Sequence, residues 1–354
     1  MNAFHVALNG SADVPPENTP LDLSRSPVLM GRRAAFGAVV LVLLLSRAAP
    51  AQTSDPDLIQ LAVRLASWTA VNGYEQRMVD SILALLPQAQ RDRAGNAILR
   101  LGGNGPARRL VACPLDEVGY VVGGMSPDGY LTLRRTGRPV SPLFDQQLEG
   151  QRVSIQGAHG VVPGVVAVRS IHLSRGRDDS ASAPFTVDDA LVDVGAASET
   201  QVKALGVQVL SPVTLVKRSH RYGKTLLAAT DAGRRAACAA LIVAARTSRL
   251  RAKLLPPVTV AFLVEDRLGA RGLATLSNAD GPFQETVIVD GTGGRLGAQD
   301  LRIDAETAAR WPGLGPVKRW SLPVKYAGTA VETVSLVDAD SLRQKLMDWI
   351  GGDR

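Results

Sequence analysis

Residues Leu110–Tyr120 read LVACPLDEVGY. The stretch opens as an apolar run of strand length and closes on two adjacent acids, Asp116 and Glu117, followed by Gly119. A buried strand that finishes in carboxylates is the pattern of an open α/β sheet, where ligands gather beyond the carboxyl ends of the strands. Pro114 stands two residues before Asp116. It has no N–H to donate and no side-chain atom that binds a metal, so its expected role is to end the strand and fix the turn that presents Asp116.

Two more apolar runs finish in the same way. VTVAFLV leads to Glu265 and Asp266, and ETVIVD ends at Asp290. One such acid is explained by capping of the helix that follows. Three of them imply a shared acidic crevice, in which the carboxylates repel one another unless a cation neutralises them or one stays protonated.

The surrounding chain supports an α/β class. Asp55-Pro56 followed by DLIQLAVRLASW reads as an N-cap, a first-turn proline and an amphipathic helix, and YEQRMVDSILALLP makes a second helix. NAILRL and RRLVAC, separated by GGNGPA, predict a hairpin. GYVVGGM and GYLTLRR flank the turn Ser126-Pro127-Asp128-Gly129. From Tyr120 to Val216 only Ser198–Leu205 carries a helical period, and the rest is Val- and Gly-rich with short alternating runs, as in a small β-barrel or sandwich. Helix and strand patterns then alternate again to the closing helix DADSLRQKLMDWI. The economical architecture is a discontinuous α/β domain, 52–119 and 220–354, carrying an inserted β domain at 120–219.

The N-terminus carries a processing signal. Residues 30–51, MGRRAAFGAVVLVLLLSRAAPA, have a basic pair, an apolar core and Ala49-Pro50-Ala51 as a small-x-small cleavage site, which reads as a secretory signal peptide. The core is shorter than the ~20 residues of a spanning helix, so no membrane span is expected after cleavage. Residues 1–29 are polar, contain prolines and precede a second methionine, as a misplaced start or a disordered leader would. Export to a periplasmic or extracellular location follows. The formal charge of +7 is scattered, with few aromatics among the cations, which argues against nucleic-acid binding. Two cysteines are too few for a disulfide framework.

In order and spacing these segments resemble the tetrahedral, glutamyl-type zinc aminopeptidases of the zinc exopeptidase superfamily. The likeness is carried by NGYE (72–75), DRAGN (92–96), ACPLDEVGY (112–120), GVVAVRSIHL (164–173), LVDVGAAS (191–198), VEDRLGARG (264–272) and VIVDGTGG (287–294). It covers nearly all of 58–350 and implies a three-layer, zinc-exopeptidase-like (phosphorylase/hydrolase-like) α/β domain with a small inserted β-barrel. In that family a pair of zinc ions is held by His, Asp and Glu ligands, and a Glu acts as general base on the water between them. Carried over, Glu265 falls on the general base, Asp266 and Asp290 on metal ligands, and Asp116 on the acid that steadies the first His.

The departures fall on the metal site. The first His position is Pro114, and the last, in YAGTAVE, is Gly328. The bridging acid meets TDAGRRAACAA, where Arg234 takes its place and Asp231 reaches it only with a two-residue slip. Arg234 is therefore expected to pair with the remaining acids where the family holds zinc. His159 and His172 lie in the β insert and His220 at its exit, none of them a carried-over ligand.

The resemblance with these losses implies a secreted pseudo-peptidase that needs no metal cofactor and binds a peptide or protein partner, with Glu265 and Asp266 receiving peptide N-termini. The competing reading is an active aminopeptidase that binds zinc or another divalent metal in a rebuilt site using Cys113 or Asp231. In this fold Cys113 and Cys238 are also placed to bridge after export. Lys217, Arg218 and Arg221 read as a charged loop. The family assembles through its β insert, which implies a homo-oligomer.

Overall fold

The carboxylate of Asp55 accepts the Asp57 N–H and caps α1 (Pro56–Ala66), with Pro56 in the first turn, where a missing N–H costs nothing. Leu58, Leu61, Ala62 and Leu65 recur at helical spacing and are all buried. The computed structural model describes residues 55–352 apart from 104, 106–107, 138–143, 169–183, 251–254, 294–301 and 307–312. The expected leader and signal peptide, and His172, lie outside the described residues.

After α2 (Gln76–Leu85) come β1 (Gln90–Arg91), β2 (Ala97–Leu101) and β3 (Arg109–Pro114). The chain then builds β4 (Gly119–Met125), β5 (Leu131–Thr136), β6 (Arg152–Gly157), β7 (Gly160–Val166), β8 (Leu191–Asp193), α3 (Glu199–Ala204) and β9 (Pro212–Leu215). These six strands close a barrel in the order β4-β5-β8-β7-β6-β9. Alternate residues, among them Tyr120, Val122, Leu131, Leu133, Val153 and Ile155, fill its interior.

The chain returns to the main sheet through β10 (His220–Tyr222) and β11 (Leu226–Ala228), then forms α4 (Ala232–Arg249), β12 (Val258–Leu263) and α5 (Arg271–Asp280). β13 (Glu285–Gly293), β14 (Arg302–Glu306), β15 (Val317–Lys325), β16 (Thr333–Ser335) and α6 (Leu336–Gly351) complete it. The sheet runs β1-β2-β12-β3-β13-β15-β16-β11-β10, with β14 beside β15.

Period-two alternation decides which face each residue serves. Val111, Cys113, Val260 and Phe262 pack against α1, α2, α4 and α6, whereas Leu110, Ala112, Ala261 and Leu263 pack against α5. The result is three layers, helix on sheet on helix.

Two expectations are corrected. β2 and β3 do not form a hairpin: β12 lies between them, antiparallel to β2 and parallel to β3. The GGNGPA turn signal was real, but it spans a gap that a distant strand fills. β13 also does not stop at Asp290 but runs on to Gly293 beside β15.

The central parallel strands β12, β3 and β13 point their carboxyl ends the same way. The first turn of α4 is wedged against that edge. A Cβ on Gly233 would lie 2.4 Å from Val324 Cγ1 and 2.9 Å from Gly291 Cα, so helix and strand approach this closely only because both positions are glycine. That approach delivers the next residue, Arg234, into the crevice.

Candidate active site

β3 ends at Pro114, which lies level with Leu263 of β12. The chain then turns through Leu115, whose N–H donates to the Leu263 carbonyl, and Asp116 is set beyond the sheet edge. Asp266 follows β12, and Asp290 comes from β13. The turn after β12 is held from below. Asn96 Nδ2 donates to Asp92 Oδ2 at 2.7 Å and to the Gly272 carbonyl at 2.9 Å, and Asn96 Oδ1 accepts the Val264 N–H at 2.9 Å. This is the structural purpose of the DRAGN segment.

The guanidinium of Arg234 fills the space between the three carboxylates. Its Nε donates to Asp290 Oδ1 at 2.9 Å. Nη1 donates to the Asp116 carbonyl at 2.9 Å and to Asp116 Oδ1 at 2.8 Å. Nη2 donates to Asp290 Oδ2 at 3.0 Å and to Asp266 Oδ2 at 3.4 Å. A guanidinium has five N–H bonds, and here each meets an acceptor. Arg234 therefore neutralises the crevice but keeps no donor with which to polarise a substrate carbonyl. Arg319 Nη1 adds a second cation to Asp290 at 3.0 Å.

The electrostatics follow from this geometry. Burial pushes Asp290 up, but Arg234 and then Arg319 overcome it and leave the carboxyl below its usual range. Burial dominates at Asp116, which rises to about 6; Arg234 lowers it and the charge of Asp266 adds to the rise. Burial also opposes the charge on Arg234, but Asp290, Asp266 and Asp116 hold it firmly protonated.

A ring of further residues surrounds the cluster. Asp231, the residue before α4, adopts φ 52° and accepts from Arg267 Nη2 at 3.2 Å. The Arg267 N–H donates to Asp116 Oδ2 at 2.7 Å. Glu332 accepts the N–H groups of Gly233 at 3.0 Å and Gly328 at 2.9 Å. Glu75 Oε1 accepts those of Gly73 at 2.9 Å and Glu265 at 3.0 Å. Glu265 itself has φ 54°, and among the described residues its side chain pairs only with Arg271, at 3.5 Å.

Glu117 turns away from the crevice. It is fully buried, takes Lys217 Nζ at 2.5 Å and Arg235 Nη2 at 2.7 Å, and accepts the Ala70 N–H at 3.1 Å. Burial alone would raise it; Lys217 and Arg235 hold it at about 2. Lys217 is thus no solvated loop charge, as the sequence suggested, but one of three members of a buried ion-pair cluster.

Cys113 and Cys238 form a disulfide with their Cα atoms 5.5 Å apart. It ties β3 to α4 beside Pro114 and one helical turn beyond Arg234. Cys113 consequently has no free thiolate to offer a metal.

The donor set does not fit the zinc pair of the resembling family. Zinc sites combine oxygen with nitrogen or sulfur, and the first and last His positions are Pro114 and Gly328. His159, in the β6–β7 hairpin, is exposed, and His220 stacks on Tyr222 in the edge strand β10. Among the described residues no group of three or more His, Cys, Asp or Glu is arranged to hold a metal ion. The crevice carboxylates are instead satisfied by a fixed cation.

Sequence reasoning placed Asp116, Asp266, Asp290 and Arg234 together, and the structure brings them together. It missed Arg319, Glu332 and Arg267. Only Arg319 left a trace, as a cation two residues into a strand parallel to the one that bears Asp290.

Comparison with known proteins bears on the family and the fold. The family model for M42 glutamyl aminopeptidases matches residues 95–319. FrvX of Escherichia coli K12, a putative aminopeptidase, is 25% identical over 267 residues, 73% of this chain and 67% of that one. SgcX of the same organism, also a putative aminopeptidase, is 29% identical over 184 residues, so the chain spans about half (48%) of its length. Among solved structures, the TET1 peptidase of Pyrococcus horikoshii superposes with a TM-score of 0.73 at 23% identity, over 83% of this chain and 99% of that one. The aminopeptidase of Desulfurococcus kamchatkensis gives 0.71 at 18% identity, over 83% and 94%. With the carboxylate-edged parallel strands, the inserted barrel and a family match over most of the described chain, this protein belongs to the M42 glutamyl aminopeptidase family.

Proposed function

We propose that this chain is an exported member of the family that has exchanged hydrolysis for binding, with its crevice retained as a site for peptide N-termini or a protein partner. The observation that carries the reading is Arg234, whose five donors are spent on Asp116, Asp266 and Asp290. Amide hydrolysis in this family needs a water activated between metals, and a saturated guanidinium supplies neither a bound water nor an electrophile. Glu265 remains the least encumbered carboxylate of the crevice and is the proposed partner of an incoming ammonium, with Asp266 beside it. Export is supported by the signal-like segment 30–51 and by the disulfide, since such bonds persist in oxidising compartments. Related structures are described as a dodecamer and as a tetrahedron or large octahedral shell, which supports a homo-oligomer.

The test is metal stoichiometry and turnover on the same sample. Protein 52–354 is incubated with excess Zn²⁺ or Co²⁺, desalted, analysed for metal, and assayed against a panel of aminoacyl anilides. The expected result is no retained ion and no turnover, with peptide binding that weakens in Glu265→Ala. About two tightly held ions per chain together with hydrolysis would establish the active, rearranged aminopeptidase instead.

A further inference from the structure

Where the corner between α1 and α2 meets the barrel, a cleft of about 350 Å³ opens. Its size falls in the range of small-molecule sites. Trp68, Met78, Val161 and Val216 give it apolar walls. Two cations, Arg77 and Lys217, line it, and no acid does.

The cations differ in what they have left to give. Lys217 is tied to Glu117 at 2.5 Å, a carboxylate it shares with Arg235. Among the described residues Arg77 donates only to Gln156 Oε1, a neutral amide across the body–barrel junction, and meets no carboxylate. The Ser67 and Ser81 hydroxyls are engaged by carbonyls of their own helices. Those of Thr69 and Ser154 have no protein partner among the described residues.

An unneutralised guanidinium beside an indole and aliphatic side chains recognises a particular chemistry. Its planar pair of N–H groups fits a carboxylate, and the apolar walls disfavour a heavily hydrated anion such as free phosphate. We propose that this cleft binds a small organic carboxylate, with its charged end on Arg77 and its apolar body against Trp68, Met78, Val161 and Val216. The ligand would bridge the α/β body and the barrel and so stiffen their junction. None of Asp116, Arg234, Asp266 and Asp290 lines this cleft, and binding there requires no answer to whether the crevice hydrolyses peptides.

The experiment is a calorimetric titration of the mature chain, without added metal, using N-acetylphenylalanine, N-acetylphenylalanine amide and inorganic phosphate. The acid should bind saturably, and the neutral amide at least about tenfold more weakly, as expected for loss of a charge-assisted contact. Arg77→Gln should lower affinity for the acid to the level of the amide. Val161→Glu, which sets an acid into the cleft from an exposed barrel position, should do the same without touching Arg77. Equal binding of acid and amide, binding unchanged in both variants, or no saturable binding overturns the proposal. Displacement of the acid by phosphate at similar concentration would overturn the role given to the apolar walls.

Discussion

Arg234 places a fixed positive charge among Asp116, Asp266 and Asp290. A guanidinium is a fixed +1 charge with directed donors, suited to carboxylates that can be approached in one plane. Asp290 takes two of its N–H groups in a near-bidentate pair, and Asp116 takes two more through its side chain and its carbonyl. Removing one partner of a buried pair strands the others, at a cost of about 3–5 kcal/mol. Arg234→Ala should therefore lose stability on that order in urea unfolding, and Arg234→Lys should recover only part of it, because an ammonium cannot span three carboxylates. The Ala variant also leaves Asp116, Asp266 and Asp290 facing one another across a gap. Millimolar Ca²⁺ or Mn²⁺, which accept all-oxygen sites, should raise its melting temperature and leave the wild type unmoved. A variant indifferent to both ions would show that the three acids cannot converge on one cation.

At the scale of elements, the segment of β3 and the turn beyond it is joined to α4 twice. Arg234 and Cys238 lie one turn apart on α4; their partners are Asp116, two residues beyond the end of β3, and Cys113, within it. Reducing the disulfide, or substituting Cys113→Ala and Cys238→Ala together, should cost roughly 2–5 kcal/mol. A chelator should cost nothing, and the comparison is made by urea unfolding with and without each reagent. Stability lost to chelator but not to reductant would reverse this assignment.

The same elements show where the sequence was legible. Helices with caps and apolar stripes and the alternating runs of the barrel are local patterns and reappear in the structure; the acids lie just beyond β3 and β12, whereas Asp290 lies within β13, which runs on to Gly293. The β2–β3 hairpin failed because adjacency in a sheet is non-local: β12, more than 140 residues downstream of β3, has the better surface for both strands. Lys217 was misread for a related reason. Nothing local distinguishes a buried cation from a solvated one until its partner, Glu117, is known to be fully enclosed.

Across the whole molecule, buried carboxylates divide into two groups that respond to pH in opposite senses. Burial raises Glu75 and Glu332 to about 7; at Glu332 the negative charge of Asp231 adds to it, while the N–H groups of Gly328 and Gly233 offset only part. Asp116, at about 6, follows them. A carboxyl with a raised value holds its proton in the fold while the unfolded chain has lost it. Its contribution is full below the ordinary carboxylate range and is lost as pH rises through the folded value. Glu117, held at about 2 by Lys217 and Arg235 against its own burial, behaves in reverse: it contributes above the ordinary range and is lost as pH falls toward 2. The two trends cross near pH 5, so stability should peak there and decline toward pH 8. Melting temperature measured from pH 4 to 8.5 gives the profile directly. Glu332→Gln, which cannot ionise, should flatten the decline between pH 5 and 8. Glu117→Gln should instead lower stability across the neutral range, because it leaves Arg235 and Lys217 buried beside an uncharged amide. A wild-type profile that rises from pH 5 to 8, or a Glu332→Gln profile parallel to it, would mean that these carboxylates stay ionised in the fold and that the crevice carries more negative charge than Arg234, Arg267 and Arg319 balance.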